Sequence, residues 1–372
     1  MVPWLPERLP GPDAVAWSRR MSSPALAGVA ATREFVIVAD RDPADRVDIF
    51  RCFHADGSEA WTLRYSAPGS LDYGNSPRAT PLLHDKVAYL SGAHGHFHAV
   101  ELATGKVLWK KHFLKDFDGP AKLSWGFCGS PIVVEGRLVI QPGGRDASIV
   151  ALDPATGEVL WKSPGRPPGH SSLIAAEIAG RTQLIGYDDQ TLGGWDVATG
   201  ERRWTLKPEH SGDFNVPTPI VSDGRLIVAT ENNGTRLYEF DPAGGLVATP
   251  LAASDELLPD CQTPVLVEGM LFGVAHQLFC LDTGDALRLR WRSDESGFRE
   301  YASLIAGPDC VLATTLQGQL ILFAADAEGY RKISEVRVFD DEAGLYSHPA
   351  LVGRRLYVRG SGSLLCLRLG DE

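Results

Sequence analysis

Residues Ala151–Trp161 read ALDPATGEVLW, and residues Ala99–Trp109 read AVELATGKVLW. A third copy, GWDVATGERRW, ends at Trp204. Looser ones are CFHADGSEAW ending at Trp61, EFDPAGGL starting at Glu239, and CLDTGDALRLRW ending at Trp291. With Trp17 added, these tryptophans stand roughly 45 residues apart, with one double step across the EFDPAGGL copy, a period typical of blade and solenoid repeats.

A second marker runs ahead of each copy: a small polar residue, usually followed by Pro, then an apolar run closed by a turn. It reads SPALAG at Ser23, TPLLHD at Thr80, SPIVVEG at Ser130, SLIAAEIAG at Ser172, TPIVSDG at Thr218, TPVLVEG at Thr263, SLIAGPD at Ser303 and HPALVG at His348. Eight markers in 372 residues divide the chain into units of about 46 residues.

Within a unit, short apolar runs such as RLVIQ, SIVALD and EVLW are rich in Val, Ile and Leu and bounded by Gly, Asp and Pro, which reads as strands. No stretch sustains a helical period. The fold class expected is all-β: an eight-bladed β-propeller of four-stranded antiparallel blades. Asp153 supplies a side-chain acceptor and Gly157 a positive φ for the turn between third and fourth strands, and Trp161 a flat surface for the next blade. The last unit, His348 to Leu369, holds three strands, while AVAWS around Trp17 is an orphan fourth. The N-terminal strand is therefore expected to complete the last blade and remove exposed edges. Residues 1–372 read as a single propeller domain, with 1–13 as an N-terminal extension.

The pattern A-x-D-x-x-T-G-x-x-x-W resembles the quinoprotein (pyrroloquinoline quinone, PQQ) dehydrogenase-like eight-bladed propellers, including the outer-membrane-assembly lipoprotein propeller. SPRATP from Ser76, WGFCGSP from Trp125 and YVRGSGSLLCL from Tyr357 are similar to stretches of PQQ-binding-like β-propeller repeat proteins. The resemblance implies the propeller fold and, for many relatives, export to the periplasm. Two features depart from the dehydrogenases. Those are longer, and many clamp the quinone with a disulfide between adjacent cysteines opposite a Trp, whereas Cys52, Cys128, Cys261, Cys280, Cys310 and Cys366 include no adjacent pair. There is no haem-type C-x-x-C-H run, and no local motif matches the family's calcium carboxylates.

A net charge of −11 without a basic stripe excludes nucleic acid as a natural partner. No stretch has the length of a membrane span, and MVPWLPERLPGPD lacks the apolar core of a signal peptide. As written, the chain reads as soluble and monomeric; its compartment is left open by the sequence. Cys52, Cys280 and Cys366 align with Ala151 at a small buried position, which suits free thiols.

Function is expected where the repeat varies. Two places before the markers stand Met21, Arg78, Cys128, His170, Val216, Cys261, Tyr301 and Tyr346; three places before stand Arg20, Pro77, Phe127, Gly169, Asn215, Asp260, Glu300 and Leu345. These residues enter the innermost strands at the channel mouth, under long loops at 62–78 and 110–127. Arg78, Trp125, His170, Asn215, Asp260 and Glu300 are the candidate ligand-binding set, combining a carboxylate fork, a stacking face and acids. His94, His96 and His98 alternate so that His96 and His98 share a strand face. Imidazoles so placed can ligate zinc or copper, but His98 aligns with packing positions and no metal site is assigned.

The function expected is a non-catalytic propeller binding a protein partner or small polar ligand at its loop-rich face, with no catalytic residue and no cofactor. The alternative is a PQQ- and calcium-dependent oxidoreductase of the alcohol or sugar dehydrogenase type. There Trp125 stacks on the quinone, Arg78 pairs with its carboxylates, and Asp260 or Glu300 is the base. A third reading is a lyase or hydrolase using His170 and the acids.

Overall fold

The computed structural model describes residues 1–24, 26–339 and 344–370. They form eight four-stranded antiparallel sheets, in seven of which the strands follow chain order from the channel outward. Blades 1 to 7 span residues 30–66, 82–112, 132–163, 174–206, 220–254, 265–293 and 302–337, and blade 8 joins 350–368 to 15–20.

The marker hydroxyls link neighbouring blades. The Thr80 N–H donates to Ser130 Oγ, Ser130 N–H to Ser172 Oγ and Thr218 N–H to Thr263 Oγ1, each at 3.0 Å. A Ser or Thr here gives an innermost-strand amide a partner that the strand ladder does not supply. Blade 1 differs from the sequence expectation. Its innermost strand is Ala30–Ala31, so the residue equivalent to Thr80 is Gly28 and not Ser23. A Cβ on Gly28 would stand 2.4 Å from Thr80 Oγ1 and 3.3 Å from the Cβ of His348, so neighbouring markers leave no room for a hydroxyl. Ser23 instead donates its N–H to Asp40 and accepts from the buried Arg359 at its carbonyl. Met21 and Arg20 accordingly leave the mouth ring.

The tryptophan repeat is explained by contacts between blades. Trp61 lies against Gly105 of the next blade and donates Nε1–H to the Leu102 carbonyl at 2.8 Å. Trp109 does the same with Gly157 and Pro154 at 3.1 Å, and Trp161 with Gly200 and Val197 at 3.0 Å. The turn glycine is required twice over: Gly105 has φ 71°, and a Cβ there would stand 2.6 Å from the Trp61 ring. Opposite each Trp on the neighbouring strand sits a small residue, Cys52, Ala99, Ala151, Gly194, Cys280 or Cys366. A β-bulge follows each of these pairs in blades 1 to 4 and 6 and turns the outer strand. In blade 4 the relay lengthens: Trp204 donates to Gln183 Oε1 at 2.9 Å, and Gln183 Nε2–H to the Gly244 carbonyl at 2.8 Å.

The ring closes as the sequence implied. Strand Val15–Arg20 pairs antiparallel with Ser363–Arg368, placing Trp17 opposite Cys366. In blade 7, Ser334 occupies the register place of the Trp, because blade 8 has no continuous turn for an indole to cover. Residues before the first strand fill that gap. Leu9 N–H donates to Ser334 Oγ at 2.8 Å, and Leu5 and Leu9 are buried with Leu322, Val336, Leu356 and Leu367.

Candidate functional site

The segments leading into the innermost strands bring a set of aromatic rings to the channel mouth. Trp125 has His170 at 4.7 Å and Phe214 at 4.6 Å between ring centroids, and Tyr73 edge-on at 6.1 Å. Further round, Tyr301 lies 5.5 Å from Tyr346. Tyr73, Phe214 and Tyr346 are 79%, 49% and 39% exposed, high values for rings of this size. One backbone and one side-chain bond hold the array: His170 N–H donates to the Asn215 carbonyl at 3.2 Å, and Asn215 Nδ2–H to the Asp188 carbonyl at 3.3 Å. Asn215 is buried at φ 54°, a conformation Asn tolerates better than most residues. Its Oδ1, like Nδ1 of His170, is buried with no hydrogen-bond partner.

Four of the six candidate residues, Arg78, Trp125, His170 and Asn215, gather on this side. Burial, with the Arg78 charge beside it, pushes His170 down to about 4. Arg78 is committed to its own loop, donating to the carbonyls of Ser76 (3.1 Å), Asp72 (2.5 Å) and Gly74 (2.9 Å). Its Nη donors therefore staple the loop bearing Tyr73. Asp260 and Glu300 have other partners. Asp260 is exposed and accepts from Cys261 Sγ at 3.1 Å, while Glu300 accepts from Gln317 Nε2 at 2.7 Å. Glu300 faces a separate shallow pocket of about 340 Å³ with Ser296, Arg299 and Arg337. Sequence reasoning missed Tyr73 and Phe214. Their signal was an aromatic within a Gly- and Asp-rich loop just ahead of a marker.

A second concavity, about 860 Å³, lies between the loops after blades 1 and 2. His94, His96, His112, Lys115 and Lys122 are among the residues that line it. His96 and His98 do share a face, packing tilted against Tyr65 at 4.8 and 4.6 Å, and His96 meets His112 at 4.5 Å. Burial, with neighbouring His112 and His98, pushes His96 down to about 4. Among the described residues, no three or more His, Cys, Asp or Glu side chains are grouped to hold a metal ion.

The six cysteines are free thiols. Burial pushes Cys52 and Cys128 up to about 12, so neither is a ready nucleophile. Among the described residues, no helix is long and apolar enough to cross a membrane.

The proteins similar to this chain include outer-membrane assembly factors and quinone-dependent alcohol dehydrogenases. The chain is 24% identical over 346 residues to the outer membrane protein assembly factor BamB of Shewanella oneidensis, covering 78% of this chain and 85% of that one. It is 29% identical over 159 residues to the quinoprotein alcohol dehydrogenase PedH of Pseudomonas putida, covering 40% of this chain and only 25% of the dehydrogenase. Among solved structures, BamB from Moraxella catarrhalis superposes with a TM-score of 0.66 at 17% identity, covering 95% of this chain and 99% of that one. The sequence model of one family matches residues 12–119 and 49–285, most of the chain. The chain thus belongs to the family described as outer membrane protein assembly factor BamB, within the PQQ-like propellers.

Proposed function

We propose that this protein is a non-catalytic propeller that binds a protein partner of outer-membrane assembly at its channel mouth, in the cell envelope. The observation that carries the reading is the cluster of Tyr73, Trp125 and Phe214, with two of the three rings well exposed on loops anchored to rigid blades. Aromatic side chains so presented offer large contact area at small entropic cost and dominate many protein interfaces. The family relationship supports this class of partner.

The residues argue against the quinone alternative. The Trp125 ring has His170 and Phe214 packed against it, Arg78 is bonded to three loop carbonyls, and no carboxylate cluster suited to calcium is grouped among the described residues. His170, with its low proton affinity, has neither Asp260 nor Glu300 beside it to complete a lyase or hydrolase site.

Two titrations of the purified protein, followed by tryptophan fluorescence, test this reading. Purified barrel-assembly machinery should bind in the micromolar range or tighter, and PQQ with calcium should not. Tight PQQ binding with dye reduction on an alcohol would reverse the assignment.

A further inference from the structure

The cleft between the loops after blades 1 and 2 is a built site that the proposed function does not use. Its walls are fixed by hydrogen bonds, most of them between segments distant in sequence. Asp72 N–H donates to the Ser124 carbonyl at 2.9 Å, tying one loop to the other. Asn75 Nδ2–H donates to Asp45 at 2.5 Å, Arg41 Nη2–H to the Ala67 carbonyl at 2.9 Å, and His112 N–H to Asp116 at 2.7 Å. Gly69 rests on the His94 ring, where a Cβ would stand 2.1 Å from the imidazole, so the loop lies flat against the histidines.

The lining is opposite in sign to the protein as a whole. On a chain of net charge −11, this cleft gathers Lys115 and Lys122, with Asp72 as the acid among its lining residues, beside three imidazoles that burial holds neutral. His94 Nε2, His96 Nδ1 and His112 Nδ1 are buried with no hydrogen-bond partner, a cost that a polar ligand can offset. Leu71, Leu114 and Leu123 line the same space. Its volume of about 860 Å³ suits a small organic molecule.

We propose that this cleft binds an organic phosphomonoester, the phosphate lying against His96, His112 and Lys115 and the organic part against Leu71, Leu114 and Leu123. A phosphomonoester offers three acceptor oxygens and a second negative charge, matching several convergent donors better than a carboxylate. Burial keeps His96 neutral, so its ring offers an N–H to a phosphate oxygen while Lys115 supplies the opposite charge. The phosphate has two possible carriers, a soluble metabolite or a lipid headgroup.

The test uses the full chain with phenyl phosphate, benzoate, and vesicles of phosphatidylcholine with or without phosphatidic acid. Calorimetry and imidazole ¹⁵N spectra should show phenyl phosphate binding, with shifts at His96 and His112, and benzoate at least ~10-fold weaker. Lys115→Ala, an exposed change, and His96→Phe should each weaken binding about tenfold, while Arg299→Ala on another blade leaves it unchanged. Lys115→Ala keeps the test decisive even if His96→Phe fails to fold. Sedimentation only with phosphatidic acid vesicles, lost in Lys115→Ala, assigns the phosphate to lipid; binding of phenyl phosphate without vesicle binding assigns it to a soluble ester. Binding of neither, equal binding of benzoate, or affinity indifferent to Lys115→Ala overturns the proposal.

Discussion

Trp17 donates its indole N–H to the carbonyl of Ala55 at 3.0 Å, joining the N-terminal strand to blade 1 across the seam of the ring. Its ring also covers Gly57, where a Cβ would stand 2.7 Å away. One residue therefore both completes blade 8 and locks it to its neighbour.

Removing that lock should cost as much as removing a Trp inside the ring. Trp17→Ala is expected to destabilise by about 3–5 kcal/mol, comparable to Trp109→Ala, measured by urea denaturation. A loss below about 1 kcal/mol for Trp17 alone would mean that the seam carries little of the stability.

The turn glycines separate backbone strain from packing. Gly105 and Gly136 share φ 71°, but only Gly105 lies under an indole. Gly136→Ala should cost about 1 kcal/mol from the left-handed backbone alone, and Gly105→Ala clearly more, because the Trp61 ring must also move. Equal losses in thermal denaturation would show that the indole contact adds nothing.

Histidines held neutral make the fold acid-sensitive. Burial, with Lys110 nearby, pushes the 7% exposed His98 down to about 4, and His96 and His170 reach a similar value. Above about pH 6.5 both folded and unfolded chains leave these rings neutral. Between about 6.5 and 4 only the unfolded chain takes up protons, so stability is lost as pH falls through that window. Asp48 runs the other way: burial, against its pairing with Arg41, raises it to about 6, which offsets part of the loss. Urea midpoints should drop between pH 7.5 and 4.5, and His98→Leu should recover ~2–3 kcal/mol of that drop. An unchanged pH profile in His98→Leu would contradict the desolvated imidazole.

What the sequence disclosed is what eight copies constrain. Trp61, Gly105 and Cys52 meet the same neighbours in successive blades, so their pattern repeats and predicts a contact. Gly28 was misread because Ser23-Pro24 imitates a marker five residues early, and only the hydrogen bonds of Asp40 reveal its different role. The mouth was legible in outline only. Residues at one register place are spread around a circle, not gathered at a point, so Asp260 and Glu300, although they align with Asn215, bond to Cys261 and Gln317 and not to the aromatic cluster. Tyr73 and Phe214 lie in loops without a repeating partner, and no period marks them.

The most direct test of the partner-binding mouth is the affinity of Tyr73→Ala/Phe214→Ala for purified barrel-assembly machinery, read by calorimetry beside the unaltered protein. Both rings are well exposed, so stability should be unchanged within about 0.5 kcal/mol. Affinity should fall at least tenfold, about 1.4 kcal/mol or more. Unaltered affinity in a stably folded double variant would place the partner elsewhere on the propeller and contradict the account.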